Sequence, residues 1–146
     1  MSRSDATFPF SAALLDAYMK TNYRADTPLG PIDIRIGLTQ STLNELLETH
    51  NAHSWAFVTA FNPHSVALSA SENAFRHRQL CQSVDDAGYL NFPGEGIPDD
   101  DRWHSESSLL IIGISKVVAV SLGRSYQQNA ILFGEIGGLA MLVNCL

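Results

Sequence analysis

The residues best suited to chemistry lie where a predicted strand ends and a predicted helix begins. Ser54 to Phe61 is rich in aromatic and β-branched residues, which predicts a buried strand, and Asn62-Pro63 must end it. Ser69-Ala-Ser-Glu72 is a capping box and predicts the start of a helix. A helix N-terminus carries free N–H groups and a partial positive charge, and ligands often bind beyond the carboxyl ends of strands. We therefore predict a ligand site within residues 62–78.

The polar side chains of this junction suit a small anion. Asn73 and Arg76 share one stripe of the predicted helix with Ser69. Asn62 and Ser65 come from the loop, and the Arg76 guanidinium offers a fork for a phosphate or carboxylate. The candidate ligand-binding residues are Asn62, Ser65, Asn73 and Arg76. An ordinary interpretation stays open, with a turn at Asn62-Pro63, a simple helix cap and a surface ion pair.

Two further groups of polar residues are weaker candidates. Gln128 and Asn129 lie between an apolar helix and an apolar strand, where their amides are able to bind a ligand or to end the helix. Glu135 lies at the end of that strand and is a candidate catalytic carboxylate.

The acidic loop Asp99–Asp101, with His104 and Glu106, offers oxygen ligands for Mg²⁺ or Ca²⁺, although its spacing fits no EF-hand. A solvated acidic loop is the alternative, and we predict no metal site. Glu106, at the start of an apolar strand, is the second candidate catalytic residue. No cofactor motif is present, since the chain lacks GxxxxGK[ST], GxGxxG, HExxH and GxSxG.

The elements that position these residues alternate between helix and strand, with Ser11, Ser69 and Ser115 as N-caps. We predict helices at 11–22, 69–87 and 116–127, and a further helix that Thr39 or Thr42 caps and that ends near His50. We predict strands at 32–36, 54–61, 89–92, 107–114, 130–135 and 139–143, with an irregular loop at 93–101. Helices between strands imply crossovers. The predicted fold is α/β or α+β, with a mixed, partly parallel sheet of about five or six strands covered by about four helices. We expect a single domain, 1–146, with a flexible segment at 1–10.

Composition excludes several classes of function. The 146 residues are 45% apolar and carry a net charge of −6 with nine Lys and Arg, so nucleic-acid binding is not expected. Cys81 and Cys145 form no CxxC pair, which indicates two free thiols. Met1–Thr7 lacks the apolar core of a secretory signal, and the apolar stretch 109–122 is too interrupted to span a bilayer. We therefore expect a cytoplasmic protein with no membrane partner.

Several stretches together resemble domain-of-unknown-function family 3293. These stretches are Ala17-Tyr-Met-Lys-Thr-Asn-Tyr23, Ser54-Trp-Ala-Phe-Val-Thr-Ala-Phe-Asn-Pro63, Ser69 with Glu72-Asn73 and Arg76, Pro93-Gly-Glu-Gly96, Ser107-Ser-Leu-Leu-Ile-Ile-Gly-Ile114 and Gln128-Asn-Ala-Ile-Leu-Phe-Gly-Glu135. The similarity covers about Tyr18 to Val143. It implies a small single-domain bacterial protein and supplies no established activity, so it assigns no catalytic roles.

Two functional hypotheses follow. In the first, the chain binds or processes a small anionic metabolite or nucleotide, held by Asn62, Ser65, Asn73 and Arg76, with acid–base chemistry at Glu106 or Glu135. In the second, it is a protein-interaction or regulatory module without catalysis. The apolar C-terminal segment, Ile136 to Leu146, would then form a homodimer contact.

Overall fold

The computed structural model describes Pro9 and residues 11–146. The segment 1–10, predicted to be flexible, lies outside the described residues apart from Pro9. The described helices are α1 (Ala12–Met19), α2 (Ser41–Thr49), α3 (Ala70–Asp86) and α4 (Lys116–Ser125). The described strands are β1 (Thr21–Thr27), β2 (Gly30–Ile34), β3 (Ser54–Thr59), β4 (Asn91–Pro98), β5 (Glu106–Ile112), β6 (Ala130–Glu135) and β7 (Met141–Asn144).

Three of the helices begin at the caps that the sequence predicts. The Ser11 hydroxyl accepts a hydrogen bond from the N–H of Leu14, and that of Ser115 from the N–H of Val118. At α3 the capping box is complete, since Ser69 and Glu72 each accept the other's backbone N–H through their side chains. These predictions are confirmed because a cap depends only on residues within one helical turn.

The seven strands form one sheet in the order β2-β1-β4-β5-β3-β6-β7, and every neighbouring pair is antiparallel. The predicted mixed, partly parallel sheet of five or six strands is therefore wrong. The predicted helical crossovers are present, since α3 joins β3 to β4 and α4 joins β5 to β6. The two strands of each pair run in the same direction. However, an antiparallel strand fills the gap inside each pair: β5 between β3 and β4, and β3 between β5 and β6.

Two strands differ from the sequence-based prediction: β1 is missing from it, and β4 is longer than the predicted strand at 89–92. β1 was predicted partly as helix, although Tyr23 and Ala25 alternate with exposed residues as in a half-buried strand. Most of β4 was predicted as a loop because of Pro93-Gly-Glu-Gly96. Position 94 of this strand has no room for a side chain. A Cβ there would come within 2.7 Å of the Arg24 carbonyl oxygen and 2.9 Å of the Phe57 ring.

Helices cover both faces of the sheet, so its central strands are apolar on both sides. Trp55 and Phe57 of β3 pack in a core with α2, whereas Ala56 and Val58 pack in a second core with α3 and α4. The sheet is strongly curled around α2. The segment after β2 reaches the residue before β7, with the Gly37 N–H donating to the Ala140 carbonyl at 2.8 Å. None of the helices in the described part of the chain has the length and hydropathy of a membrane-spanning segment.

Candidate functional site

Polar residues from four separate parts of the chain meet at one end of the sheet. Because β3 is antiparallel to both β5 and β6, its last residues lie beside the first residues of those two strands. Asn62 follows β3, Glu106 begins β5, and Asn129 directly precedes β6. Tyr18 lies in the last turn of α1, shortly before β1, whose first residues lie at this same end. We call the group of Tyr18, Asn62, Glu106 and Asn129, together with Ser65, the end cluster.

Glu106 is the ionisable centre of the end cluster. The side-chain amide of Asn62 donates a hydrogen bond from Nδ2 to Glu106 Oε2 at 2.9 Å. Among the residues that the structure describes, the second carboxyl oxygen, Oε1, accepts no hydrogen bond. Burial raises the pKa of Glu106 above its usual value, and the hydrogen bond from Asn62 partly opposes this. The carboxyl is thus suited to accept a proton or a hydrogen bond from a ligand.

Tyr18 is the member of the end cluster that the sequence did not indicate as a site residue. Burial and the nearby Glu106 carboxyl raise the pKa of Tyr18 to about 12, and a side-chain hydrogen bond with Asn129 opposes the shift. Its phenol is therefore neutral at physiological pH. Tyr18 lies within the helix predicted at 11–22, and no spacing pattern connects it with Glu106.

Asn129 connects the strand end to the loop after β3. Its side-chain amide is buried and donates to the Ser65 hydroxyl at 2.9 Å. Its backbone carbonyl accepts the N–H of Cys145 at 2.9 Å, which ties Asn129 to the residue after β7. The Asn129 amide is therefore held in place beside Ser65, which is exposed.

The loop that carries Asn62 and Ser65 is conformationally strained. Asn62, His64 and Ser65 have φ values of 47°, 50° and 62°, and the facing Gln127 has φ of 53°. Each such residue costs about 1–3 kcal/mol unless it is Gly, and persists where its surroundings enforce it. A hydrogen bond of 2.7 Å from the His64 N–H to the Gln127 carbonyl joins the two strained segments. Strain of this kind concentrates at functional sites, and here it adjoins the end cluster.

Arg76 has a different environment from the one expected of an anion-binding fork. Its Nε donates to the Ala60 carbonyl at 2.6 Å, and its Nη2 donates to the Tyr126 carbonyl. Both Nη1 and Nη2 also contact Gln127 Oε1 at 3.2 Å. The guanidinium is thus used to join α3 to the end of β3 and to the end of α4.

The remaining predicted site residues are spread over the fold. The Gln128 amide is buried and donates to the carbonyls of Phe61 and Tyr126, at 2.9 and 3.1 Å. Glu135 is exposed and lies opposite Ser54, at the far end of the sheet from Glu106. Asn73 is buried and hydrogen-bonded to Asn62. The structure therefore brings Asn62, Ser65, Asn73, Glu106 and Asn129 together and separates them from Glu135.

The acidic loop has ion-pair partners of its own. Asp99 accepts two hydrogen bonds from Arg35, at 2.9 and 3.0 Å, and Asp100 pairs with Arg102. These bonds lower the pKa of both carboxyls, that of Asp100 to about 2. In the described part of the chain, no three His, Cys, Asp or Glu residues are grouped so as to hold a metal ion.

The fold and the end cluster define an antiparallel α+β domain with a partly buried carboxyl and a buried amide at one end of its sheet. The chain belongs to the family described as "Protein of unknown function (DUF3293)", whose model matches residues 58–131, just over half of the chain. The resemblance stated from the sequence is therefore confirmed. The matched segment contains Asn62, Asn73, Glu106 and Asn129, whereas Tyr18 lies outside it. Comparison with curated proteins and with solved structures gives no match.

Proposed function

We propose that this chain is a small-molecule-binding or processing domain whose ligand contacts Glu106 in the end cluster. The observation that carries the proposal is a mostly buried carboxyl whose hydrogen bond within the described residues comes from the neutral amide of Asn62. Burying an ionisable group without an ion-pair partner costs stability, and such groups with raised pKa are concentrated at functional sites. The strained loop beside it supports the same location.

The contacts favour a ligand that donates hydrogen bonds. The sequence-based hypothesis of an anionic metabolite or nucleotide depended on Arg76 and on the N-terminus of α3. The Arg76 guanidinium is engaged by protein oxygens, and at the start of α3 the capping box uses the N–H groups of Ser69 and Glu72. Instead of a cation, the end cluster offers a ligand one carboxyl together with amides and hydroxyls. An amine, amide or alcohol therefore suits it better than a phosphate.

The raised pKa also suits Glu106 to acid–base chemistry on such a ligand. A general base works best when its pKa lies near the working pH, and burial moves Glu106 in that direction. In this proposal Glu106 accepts a proton or a hydrogen bond, while Asn62 and Asn129 orient the ligand.

A thermal-shift screen tests the proposal with matched variants. The panel contains amines, amino acids, nucleosides and sugars, with sugar phosphates and nucleotides as the anionic comparison. A ligand at 100 times its dissociation constant stabilises the fold by about 2.7 kcal/mol, which is a shift of several degrees in a domain of this size. We expect hits among the donors for the wild type and for Glu135→Gln, and their loss in Glu106→Gln. Hits that persist in Glu106→Gln, or a panel without hits, contradict the proposal.

A second candidate function, self-association, is supported by the C-terminal edge of the sheet. β7 is an edge strand. Met141 in this strand, and Leu139 and Leu146 beside it, are about half exposed, at 50%, 53% and 50%. Leu142 and Val143, by contrast, pack against the two cores. An apolar edge strand can pair with the same strand of a second copy. Light scattering at high concentration would show a dimer that Met141→Lys converts to monomer, and a wild-type monomer would reject this candidate.

A further inference from the structure

The buried amide of Asn73 forms a reciprocal pair of hydrogen bonds with Asn62. Asn73 Oδ1 accepts the backbone N–H of Asn62 at 2.9 Å, and Asn73 Nδ2 donates to Asn62 Oδ1 at 2.8 Å. Only 6% of Asn73 is exposed, so water contributes little to these contacts. Asn73 lies on α3, the longest described helix, and therefore connects a rigid element to the strained loop.

Backbone donors determine which way both amides face. An asparagine amide usually permits two orientations because its oxygen and nitrogen are alike in size. Here the Asn62 N–H requires an oxygen from Asn73, and the Leu68 N–H, at 3.1 Å, requires an oxygen from Asn62. A backbone N–H is always a donor, so neither amide can turn over without leaving it unpaired. Asn62 Nδ2 must consequently point toward Glu106.

Resting on the function proposed above, we propose that Asn73 is a positioning residue for Glu106. Asn73 acts through Asn62, because it holds the Asn62 amide with the NH₂ group directed at the Glu106 carboxyl. This direction stabilises the carboxylate form and leaves Glu106 as the hydrogen-bond acceptor of the site, which selects ligands that carry N–H or O–H groups. Without Asn73 the Asn62 oxygen would keep only the hydrogen bond from the Leu68 N–H, and an amide that turned over would direct its oxygen at the carboxylate and repel it.

The groups around Glu106 make Asn62 the dominant influence on its charge. Two phenols of the described residues, Tyr18 on α1 and Tyr23 on β1, are within electrostatic reach of the Glu106 carboxyl. Burial raises the pKa of both phenols, so both are uncharged at neutral pH. Asn62 is the hydrogen-bonding partner that favours the ionised form of Glu106. A change in Asn62 orientation should therefore appear directly in the titration of Glu106.

An NMR titration of the side-chain carboxyl carbons tests this inference without any ligand. The Glu106 resonance is assigned by its absence in Glu106→Gln. We expect the pKa of Glu106 to rise by about 1 in Asn73→Ala and in Asn62→Gly, a variant that tolerates the positive φ. The double variant should match Asn62→Gly alone, because Asn73 acts only through Asn62. Ser71→Ala, an exposed change on the same helix, should leave the pKa as in the wild type.

Three results would overturn the positioning role. The first is a Glu106 pKa that is unchanged in Asn73→Ala, and the second is a Glu106 pKa that does not rise in Asn62→Gly. The third is a Glu106 pKa in the double variant that rises by the sum of the two single effects. If Asn73→Ala does not fold, Asn73→Ser gives the same comparison with a smaller loss of buried hydrogen bonds. Because the titration uses no ligand, the expected pKa changes combined with an empty ligand screen would reject the proposed function and retain the positioning role.

Discussion

Arg76 and Ala60 are joined by a hydrogen bond of 2.6 Å from the guanidinium Nε to the backbone carbonyl. The same guanidinium also donates to the Tyr126 carbonyl at the end of α4. Ala60 is fully buried, so its carbonyl has no water to replace Arg76. One side chain of α3 thus stabilises the end of β3 and the loop that carries the end cluster.

Arg76→Ala should therefore destabilise the fold. A hydrogen bond to a charged group contributes about 1.5–3 kcal/mol, and the variant also removes the Arg76 hydrogen bond from the buried Ala60 carbonyl. We expect the free energy of unfolding, measured in urea, to fall by about 2–4 kcal/mol. Arg78→Ala, on the exposed side of the same helix, is the control and should change it by less than about 0.5 kcal/mol. Equal effects of the two variants would contradict this role of Arg76.

Gly94 and Gly96 form a matched pair within β4, two residues apart and on the same face. A Cβ at Gly94 would come within 2.9 Å of the Phe57 ring, whereas at Gly96 the nearest atom would be at 3.6 Å, an ordinary contact. We expect Gly94→Ala to lower the free energy of unfolding by about 1–3 kcal/mol through overpacking. Gly96→Ala should be tolerated. Chemical denaturation compares the two, and a larger loss in Gly96→Ala would show that the packing of β4 is different.

Glu106 should make the stability of the fold depend on pH. Burial raises its pKa in the folded protein above the value of the unfolded chain, so between those two values the folded state binds more protons. The contribution of Glu106 to the free energy of unfolding therefore falls as pH rises through this window, which begins near its ordinary value of 4.5. Glu106→Gln, which is neutral at every pH, should be more stable than the wild type at pH 7 and no more stable at pH 4.

Urea unfolding from pH 4 to pH 8 measures this difference. Glu135→Gln, the same change at an exposed residue at the far end of the sheet, serves as the control. If the difference between Glu106→Gln and the wild type is the same at all pH values, Glu106 is not perturbed in the folded protein.

The two cysteines should differ in reactivity. Burial raises the pKa of Cys145 to about 11, with Arg124 opposing, and Cys145 is only 2% exposed. Cys81 is half-buried, and burial raises its pKa as well. The thiolate is the reactive form, so we expect slow labelling of Cys81 by an aromatic disulfide and labelling of Cys145 only after unfolding. Mass spectrometry of native Cys81→Ser should find no label, and a labelled Cys145 would contradict its burial.

Residue types and short spacings already predicted much of the local structure. The caps at Ser11, Ser69 and Ser115 are confirmed, and the continuous apolar run after Glu106 is indeed the central strand. Asn62, Ser65, Asn73, Glu106 and Asn129 were all selected from their positions beside predicted strands and helices. The predictions of caps and strands succeed because capping and periodicity depend on residues within one or two turns of each other.

Strand pairing and the composition of the end cluster were decided only by the tertiary structure. The sequence assigned Asn62 and Glu106 to separate candidate sites, and they meet because β5 inserts antiparallel between β3 and β4. A helix between two strands shows that the chain crosses over, but not which strand fills the gap. Likewise, the spacing of Arg76 indicated a binding fork, whereas its carbonyl partners come from segments 16 and 50 residues away. These choices depend on contacts between distant segments and on the packing of the whole core, which no local pattern contains.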